Sequence, residues 1–253
     1  MMDWRDTGFV LTARRHGENG LIVELLTAEH GRHAGLVRGG QSPRRRALLQ
    51  PGNLVAASWR GRLPEHLGAF ECELLRPHAA GLIDDPDKLA ALAAAAALIA
   101  LALPEREPHG DVYRGLAALI AALDSDDWAP HYIAWECALL AALGFGLDLS
   151  ACAATGINDD LAYVSPRTGR AVSRSAGLPY HDKLLALPGF LWREAAAEGG
   201  DIVAGLTLTE YFLHHHLLEP QGRRLPEARA RLAERMRRIA GAESAGMIGA
   251  LPR

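Results

Sequence analysis

Disulfide-forming cysteine, long apolar runs and catalytic signatures are what this chain lacks, and each shortage closes off a class. Three cysteines, Cys72, Cys137 and Cys152, are too few and too scattered for a disulfide framework, and they fit a reducing compartment. The longest apolar run, Leu89–Leu103, is 15 residues and mostly alanine. It falls short of the roughly 18 that span a bilayer and reads as a buried helix. The opening Met1-Met2-Asp3-Trp4-Arg5-Asp6 has no apolar core and no cleavage site, so it does not read as a secretory signal. No Walker loop, dinucleotide-binding glycine fingerprint, His-Glu-x-x-His or Gly-x-Ser-x-Gly occurs. No internal repeat is visible.

A more telling absence is local. From His30 to Pro64 there is no Asp or Glu, while seven arginines stand there: Arg32, Arg38, Arg44, Arg45, Arg46, Arg60 and Arg62. The whole chain carries a formal net charge of −3, so the sign reverses over this stretch. Residues 1–80 hold 11 Arg against 8 Asp and Glu, and the remainder is correspondingly acidic. Arginine-rich surface on an acidic protein is expected to meet phosphates, because the planar guanidinium fork matches phosphate oxygens. The bland alternative is a solvated loop.

Apolar alternation predicts strands over 8–15, 21–27, 32–38, 54–60 and 66–75, with glycine-rich turns between the first three. Between the third and fourth, Ser42 and Pro43 are placed to start a short helix running to Leu49. Arg44, Arg45 and Arg46 lie on its opening turn, where cations oppose the helix dipole. Five short strands interrupted by a helix after the third is the order of an OB barrel, with an SH3-like barrel as the alternative. Such barrels track single strands with a basic groove and stacking aromatics. Trp4, Phe9, Trp59 and Phe70 are the aromatics on offer, and Trp59 reads equally well as core.

Beyond Asp84-Asp85-Pro86-Asp87 the period changes from two to about 3.6. Helices are predicted over 88–103, 111–123, 129–143, 181–187, 188–198, 207–218 and 226–239. The fold class is therefore α+β: an OB domain over 1–80, a helical domain over 81–241 and a tail over 242–253. Residues 148–180 are rich in Gly, Ser, Thr, Asp and Pro and break the helical pattern. Cys152-Ala-Ala-Thr155 has the outline of half a zinc knuckle, and Ser173-Arg-Ser-Ala176 that of the other half. One thiol cannot make a structural zinc site. His214-His215-His216 is a second candidate, but consecutive residues on an α-helix point about 100° apart. His215 with Glu219 is the better-placed pair, and no metal is expected there. Asp124, Asp126, Asp127, Asp159 and Asp160 read as caps and turns.

The chain resembles the RecO family of DNA repair and recombination mediator proteins. The resemblance rests on Asp3 to Leu11, Gly20-Leu21-Ile22-Val23 leading to His30-Gly31-Arg32, and Val37-Arg38-Gly39-Gly40 followed by Arg44 to Gly52. It continues through Leu143-Gly144-Phe145-Gly146-Leu147-Asp148, Cys152, Tyr163-Val164-Ser165-Pro166 and Gly169-Arg170-Ala171-Val172. It implies an OB domain, a helical domain and, in some members, a zinc knuckle. Here only Cys152 of four knuckle cysteines is present, so zinc is not carried over and no cofactor is expected. It also implies a non-enzymatic cytoplasmic, nucleoid-associated protein that binds single- and double-stranded DNA and anneals complementary strands. RecR is the implied partner in loading RecA, along with the acidic, Phe-ended tail of single-strand-binding protein. The seven arginines are the expected DNA contacts. The competing classes are a metal-dependent nuclease and a scaffold for an acidic partner.

Overall fold

The computed structural model describes residues 2–63 and 65–249. The chain forms two compact units, Met1–Ile120 with Pro226–Arg229, and Ala121–Leu225 with Ala230–Arg253.

The first unit opens with β1 (Met2–His16), β2 (Gly20–Thr27) and β3 (Gly31–Val37). The short α1 (Pro43–Leu48) follows, then β4 (Leu54–Gly61) and β5 (Ala69–Arg76). They close a barrel in the order β1-β2-β3-β5-β4. That order, with a helix between the third and fourth strands, is the OB arrangement rather than an SH3-like one. The first strand starts at Met2, well before the apolar alternation at Gly8. Its opening half pairs with β4, from Met2↔Gly61 to Phe9↔Leu54, and its closing half with β2. An irregularity between Val10 and Thr12 bends it between the two partners. Polar Asp3, Arg5 and Thr7 on its exposed outer face hid the first half from a hydrophobic reading.

The barrel core is Val10, Leu25, Val55, Trp59 and Phe70, plugged by Leu49 just after α1. Trp59 is 1% exposed and its indole N–H donates to Leu67 O at 3.1 Å. It is a core residue, which removes it as a stacking platform.

Only one residue pair, Leu36↔Ala69, joins β3 to β5, so most of the β3 edge needs another cover. After α2 (His78–Gly81) and α3 (Pro86–Ala102), the link to α4 (Gly110–Ala122) supplies it. Arg106 N–H donates to Arg32 O at 2.7 Å, and Arg32 bridges to Glu105 in parallel. Gly31 sits beneath this link with φ +63; a Cβ there would meet Glu107 O at 1.9 Å. Glycine is required by both the conformation and the space. The Asp85 carboxylate caps α3 by accepting from the Asp87 and Lys88 N–H groups. Buried Ala91, Ala94 and Ala95 let α3 pack closely on β1.

The second unit contains α5 (Trp128–Ala142), β6 (Leu161–Val164), β7 (Ala171–Ser173), α6 (Arg174–Gly177) and β8 (Leu185–Ala186). It continues with α7 (Gly199–Phe212), and most of α8 (Glu227–Gly249) also belongs to it. The helices α5 and α7 pack together around Glu136, which is fully buried. Its carboxylate accepts from Tyr132 Oη at 2.8 Å and from Thr209 Oγ1. Of the helix expected over 181–187 only His181–Lys183 is helical, as the end of a 3₁₀ helix, Leu178–Lys183, and the one expected over 188–198 does not form. Leu185–Ala186 instead pairs with Tyr163–Val164, and Pro188-Gly189 permits a single 3₁₀ turn, Gly189–Leu191. The last helix continues to Gly249, into the expected tail; residues 250–253 lie outside the described residues.

Candidate nucleic-acid interface

The seven arginines divide by their employment. Arg32 enters β3 with its side chain 14% exposed. Its Nη1 donates to Glu24 Oε2 at 2.7 Å and its Nε to Leu103 O at 2.9 Å, while Glu105 stands at 3.6 Å. Arg32 thus holds the 103–107 link on the barrel, unlike the other six expected phosphate contacts. Arg38, Arg44, Arg45, Arg46, Arg60 and Arg62 are all exposed. Among the described residues none of these six has an acidic partner within ion-pair distance.

Pro43 opens α1, and Ser42 occupies the cap position but makes no side-chain cap bond. The helix has six residues, so Arg45 and Arg46 fall in its last turn as well as near its first. The helix dipole therefore does not disfavour Arg45 and Arg46, and the exposure of these side chains matters instead. Arg45 lies close enough to Cys72 to act on its thiol, although burial dominates and pushes that thiol up to about 12.

Gln41 binds the β3–α1 connection to the β1–β2 hairpin. Its backbone N–H donates to Asn19 O at 3.4 Å, and its side-chain amide to Gly17 O and Gly20 O at 3.0 and 3.1 Å. This ties the connection between Arg38 and Arg44 to the hairpin that carries exposed Arg14, Arg15 and His16, while Arg45 itself lies beside Cys72 and Glu73 of β5. By alternation Arg14 and Arg15 are only the end of a strand and His16 the start of a turn. Three adjacent basic residues immediately before Gly17 were the available signal. Arg60 and Arg62 belong elsewhere. Arg60 pairs in register with Asp3, near the opposite end of β1 from Arg15. The basic stretch thus becomes two sites, of which the hairpin-side one is the denser.

Phe9, Trp59 and Phe70 are buried. Trp4 alone of the expected stacking aromatics is partly exposed. It stacks on His30 at 4.1 Å with the rings 8° apart, and His30 Nδ1 lies 3.1 Å from Asp6. His33 sits edge-on to Trp59 at 4.8 Å, 4% exposed, with neither ring nitrogen hydrogen-bonded among the described residues. Burial, then the charges of Arg106 and His30, lower its pKa to about 4.

A groove of about 1140 Å³ runs beside α1. Leu48, Leu74, Ile83 and Leu89 give it an apolar lining, and Arg44 and Arg45 stand at its margin with Glu73.

In the second unit, Cys152 Sγ accepts from Ser173 N–H at 3.2 Å and stands 3.4 Å from Ser173 Oγ. Burial raises this thiol's pKa. Hydrogen bonds from Ser173, Thr155 and Ala154 together outweigh burial and bring it to about 6. Thr155 and Ser173 both bond to this sulfur. Backbone bonds hold the loop: Cys152 N–H to Ile157 O, Ala153 N–H to Ala171 O and Asp148 N–H to Gly169 O. No helix among the described residues is long and apolar enough to cross a membrane.

Two family models match the chain: recombination protein O, N terminal, over residues 1–78, and recombination protein O, C terminal, over residues 83–225. Curated relatives are similar over nearly their whole length. A DNA repair protein RecO of Rhodospirillum rubrum is 55% identical, covering 96% of this chain and 100% of its own. One of Rhodospirillum centenum is 54% identical over 94% and 96%. One of Phenylobacterium zucineum is 52% identical over 93% and 98%.

Proposed function

We propose that this chain, which belongs to the recombination protein O family of non-enzymatic DNA repair proteins, acts by binding DNA through the loop cluster on one side of its barrel and by annealing complementary strands there. The observation that carries this reading is the set Arg38, Arg44, Arg45 and Arg46. These side chains are exposed, have no acidic partner among the described residues, and flank the connection that Gln41 ties to the hairpin bearing Arg14 and Arg15.

Annealing needs two like-charged strands held close while bases pair. Arginines supply the neutralisation and base pairing the free energy, so no nucleophile or nucleotide hydrolysis is required. Arg60 and Arg62, near the other end of β1, are a second contact point for the same or a second strand. RecR and RecA loading complete the proposed role, in the cytoplasm at the nucleoid.

The test is fluorescent single-stranded DNA titrated across salt. About four phosphate contacts give a log–log slope of roughly −3, at ~0.7 per contact. Replacing Arg44, Arg45 and Arg46 with Ala should flatten it by up to ~2 units, and annealing should fall in parallel. An unchanged slope in the folded triple variant would return the stretch to solvated surface. DNA cleavage that depends on magnesium would favour the nuclease reading instead.

The groove beside α1 favours a second partner of the same surface. An acidic peptide with an apolar end, the chemistry of the single-strand-binding protein tail, suits its apolar lining and the two arginines, which outnumber Glu73 at the margin. A calorimetric titration with such a peptide should show binding that Leu74→Asp removes and that single-stranded DNA weakens through shared Arg44 and Arg45. No heat at any salt concentration would sink this partner.

A further inference from the structure

The histidine triplet does not lie on an α-helix, and this changes what it can do. After α7 the backbone widens into π-helical turns over Leu213–Leu218, and the Glu219 N–H donates to the carbonyl of His214, five residues back. An α-helix aligns a residue with the fourth before it, and a π-turn with the fifth. At the junction of the two, both His215 and His214 face Glu219. His215 Nδ1 stands 2.7 Å from Glu219 Oε2 and His214 Nδ1 3.9 Å from the same oxygen. One ligand atom from each of the three residues lies within 4.8 Å of the others.

His216 is excluded from the group. Its Nε2 lies 3.3 Å from Pro166 O and its ring stacks on Phe212 at 5.2 Å. Buried Leu213, Leu217 and Leu218 anchor the widened turn from below. A π-turn is a costly local geometry that recurs at functional sites, and here it points two imidazoles and a carboxylate at one spot in solvent.

We propose that His214, His215 and Glu219 form a binding site for one divalent transition-metal ion, with zinc as the working example. Two imidazole nitrogens and one carboxylate suit zinc, nickel or copper and not magnesium or calcium, which prefer oxygen alone. Tetrahedral bonds of about 2.0–2.2 Å set ligand atoms roughly 3.4 Å apart, so His215 and Glu219, now at 2.7 Å, open slightly and His214, at 3.9 Å, closes in. The exposed side chains can rotate that far without moving the anchored backbone. Water fills the remaining position. The bound ion clamps the π-turn to the chain that leaves it, so metal should stabilise this part of the second unit.

The experiment is zinc titration by calorimetry on the full chain freed of any affinity tag, paired with thermal melting. One equivalent should bind to the wild type and to Cys152→Ser alike, and raise Tm in both. His214→Ala with His215→Ala should abolish the site. Glu219→Gln, which keeps the size and surface of the side chain, should weaken it by at least about tenfold, the lower end of the loss seen even for outer-sphere partners. Nickel should bind the same site, with the same sensitivity to the variants. Absence of stoichiometric zinc binding in the wild type would overturn the proposal. So would retention in a folded His214→Ala/His215→Ala chain, or loss in Cys152→Ser with the histidines intact, which would assign the metal to the remnant knuckle.

Discussion

An arginine stands at each end of β3, and the two do opposite things. Arg32 is almost enclosed, with Glu24 and the Leu103 carbonyl as partners. Arg38 is exposed, with no acid in ion-pair range among the described residues. In sequence they are equivalent members of one acid-free stretch. The difference lies in what the fold brings to each. Glu24 reaches Arg32 across the β2–β3 pair, and Leu103 arrives from more than 70 residues away. Local charge therefore marks where positive groups are, while tertiary partners decide which of them are free for phosphate.

The comparison breaks most readily at Arg32. Replacing it with Ala leaves Glu24 enclosed without its cation and releases the 103–107 link. Urea denaturation should show a loss of about 3 kcal/mol, with the salt slope of DNA binding unchanged in the fraction that folds. A loss below about 1 kcal/mol would place Arg32 with ordinary surface arginines.

His33 lies one residue from Arg32 and extends the contrast to titration. Its folded pKa, about 4, lies below the ordinary 6.5. Between those values the unfolded chain binds a proton that the folded chain refuses. Stability is then full above pH about 6.5, falls as pH drops, and levels off below about 4. This one group can contribute up to about 3 kcal/mol to that fall. His33→Phe should make the fall from pH 7 to 4.5 shallower than in the wild type, judged by urea midpoints. An identical fall in both would mean carboxylates alone drive acid unfolding.

The smallest effect belongs to the free end. Arg38→Ala should leave urea stability within about 0.5 kcal/mol of wild type. It should flatten the salt slope by ~0.7, one phosphate contact. Arg14→Ala with Arg15→Ala should flatten it by about twice that, if the hairpin shares the site as its bond to Gln41 indicates. A hairpin variant with wild-type slope would confine the interface to Arg38 and α1.

The barrel was legible in the sequence because strand alternation and glycine turns are local signals. The helix after β3 showed itself through Ser42-Pro43, and the long alanine-rich helix through its period. Half of β1 was hidden, since Asp3, Arg5 and Thr7 give it a polar outer face and its pairing with β4 is non-local. The leucines and alanines over 181–198 suit a helix. Pairing of Leu185–Ala186 with β6 overrode that preference. Of the candidate interface, the arginines were visible; the enclosure of Arg32 and the nearness of exposed Arg14, Arg15 and His16 to the Gln41 connection were not. Both depend on side-chain contacts, to Glu24 in one case and through Gln41 in the other. The π-turn was equally hidden, because reading His214–His216 by helical angles assumes the α period that the backbone abandons there.

The cover over β3 has a consequence for how the protein is made. β5 ends at Arg76, but the β3 edge is not closed until Glu105 and Arg106 arrive. At a synthesis rate of about 5–20 residues per second, a nascent barrel waits on the order of seconds for that segment to be added. During this interval an unpaired strand edge stands open, with Arg32 held by Glu24 across the β2–β3 pair but not yet by the Leu103 carbonyl. Open edges recruit other chains. On the ribosome this protein therefore passes through a short window in which its nearly finished barrel is most exposed to pairing with a neighbour, and the arrival of one short link ends it.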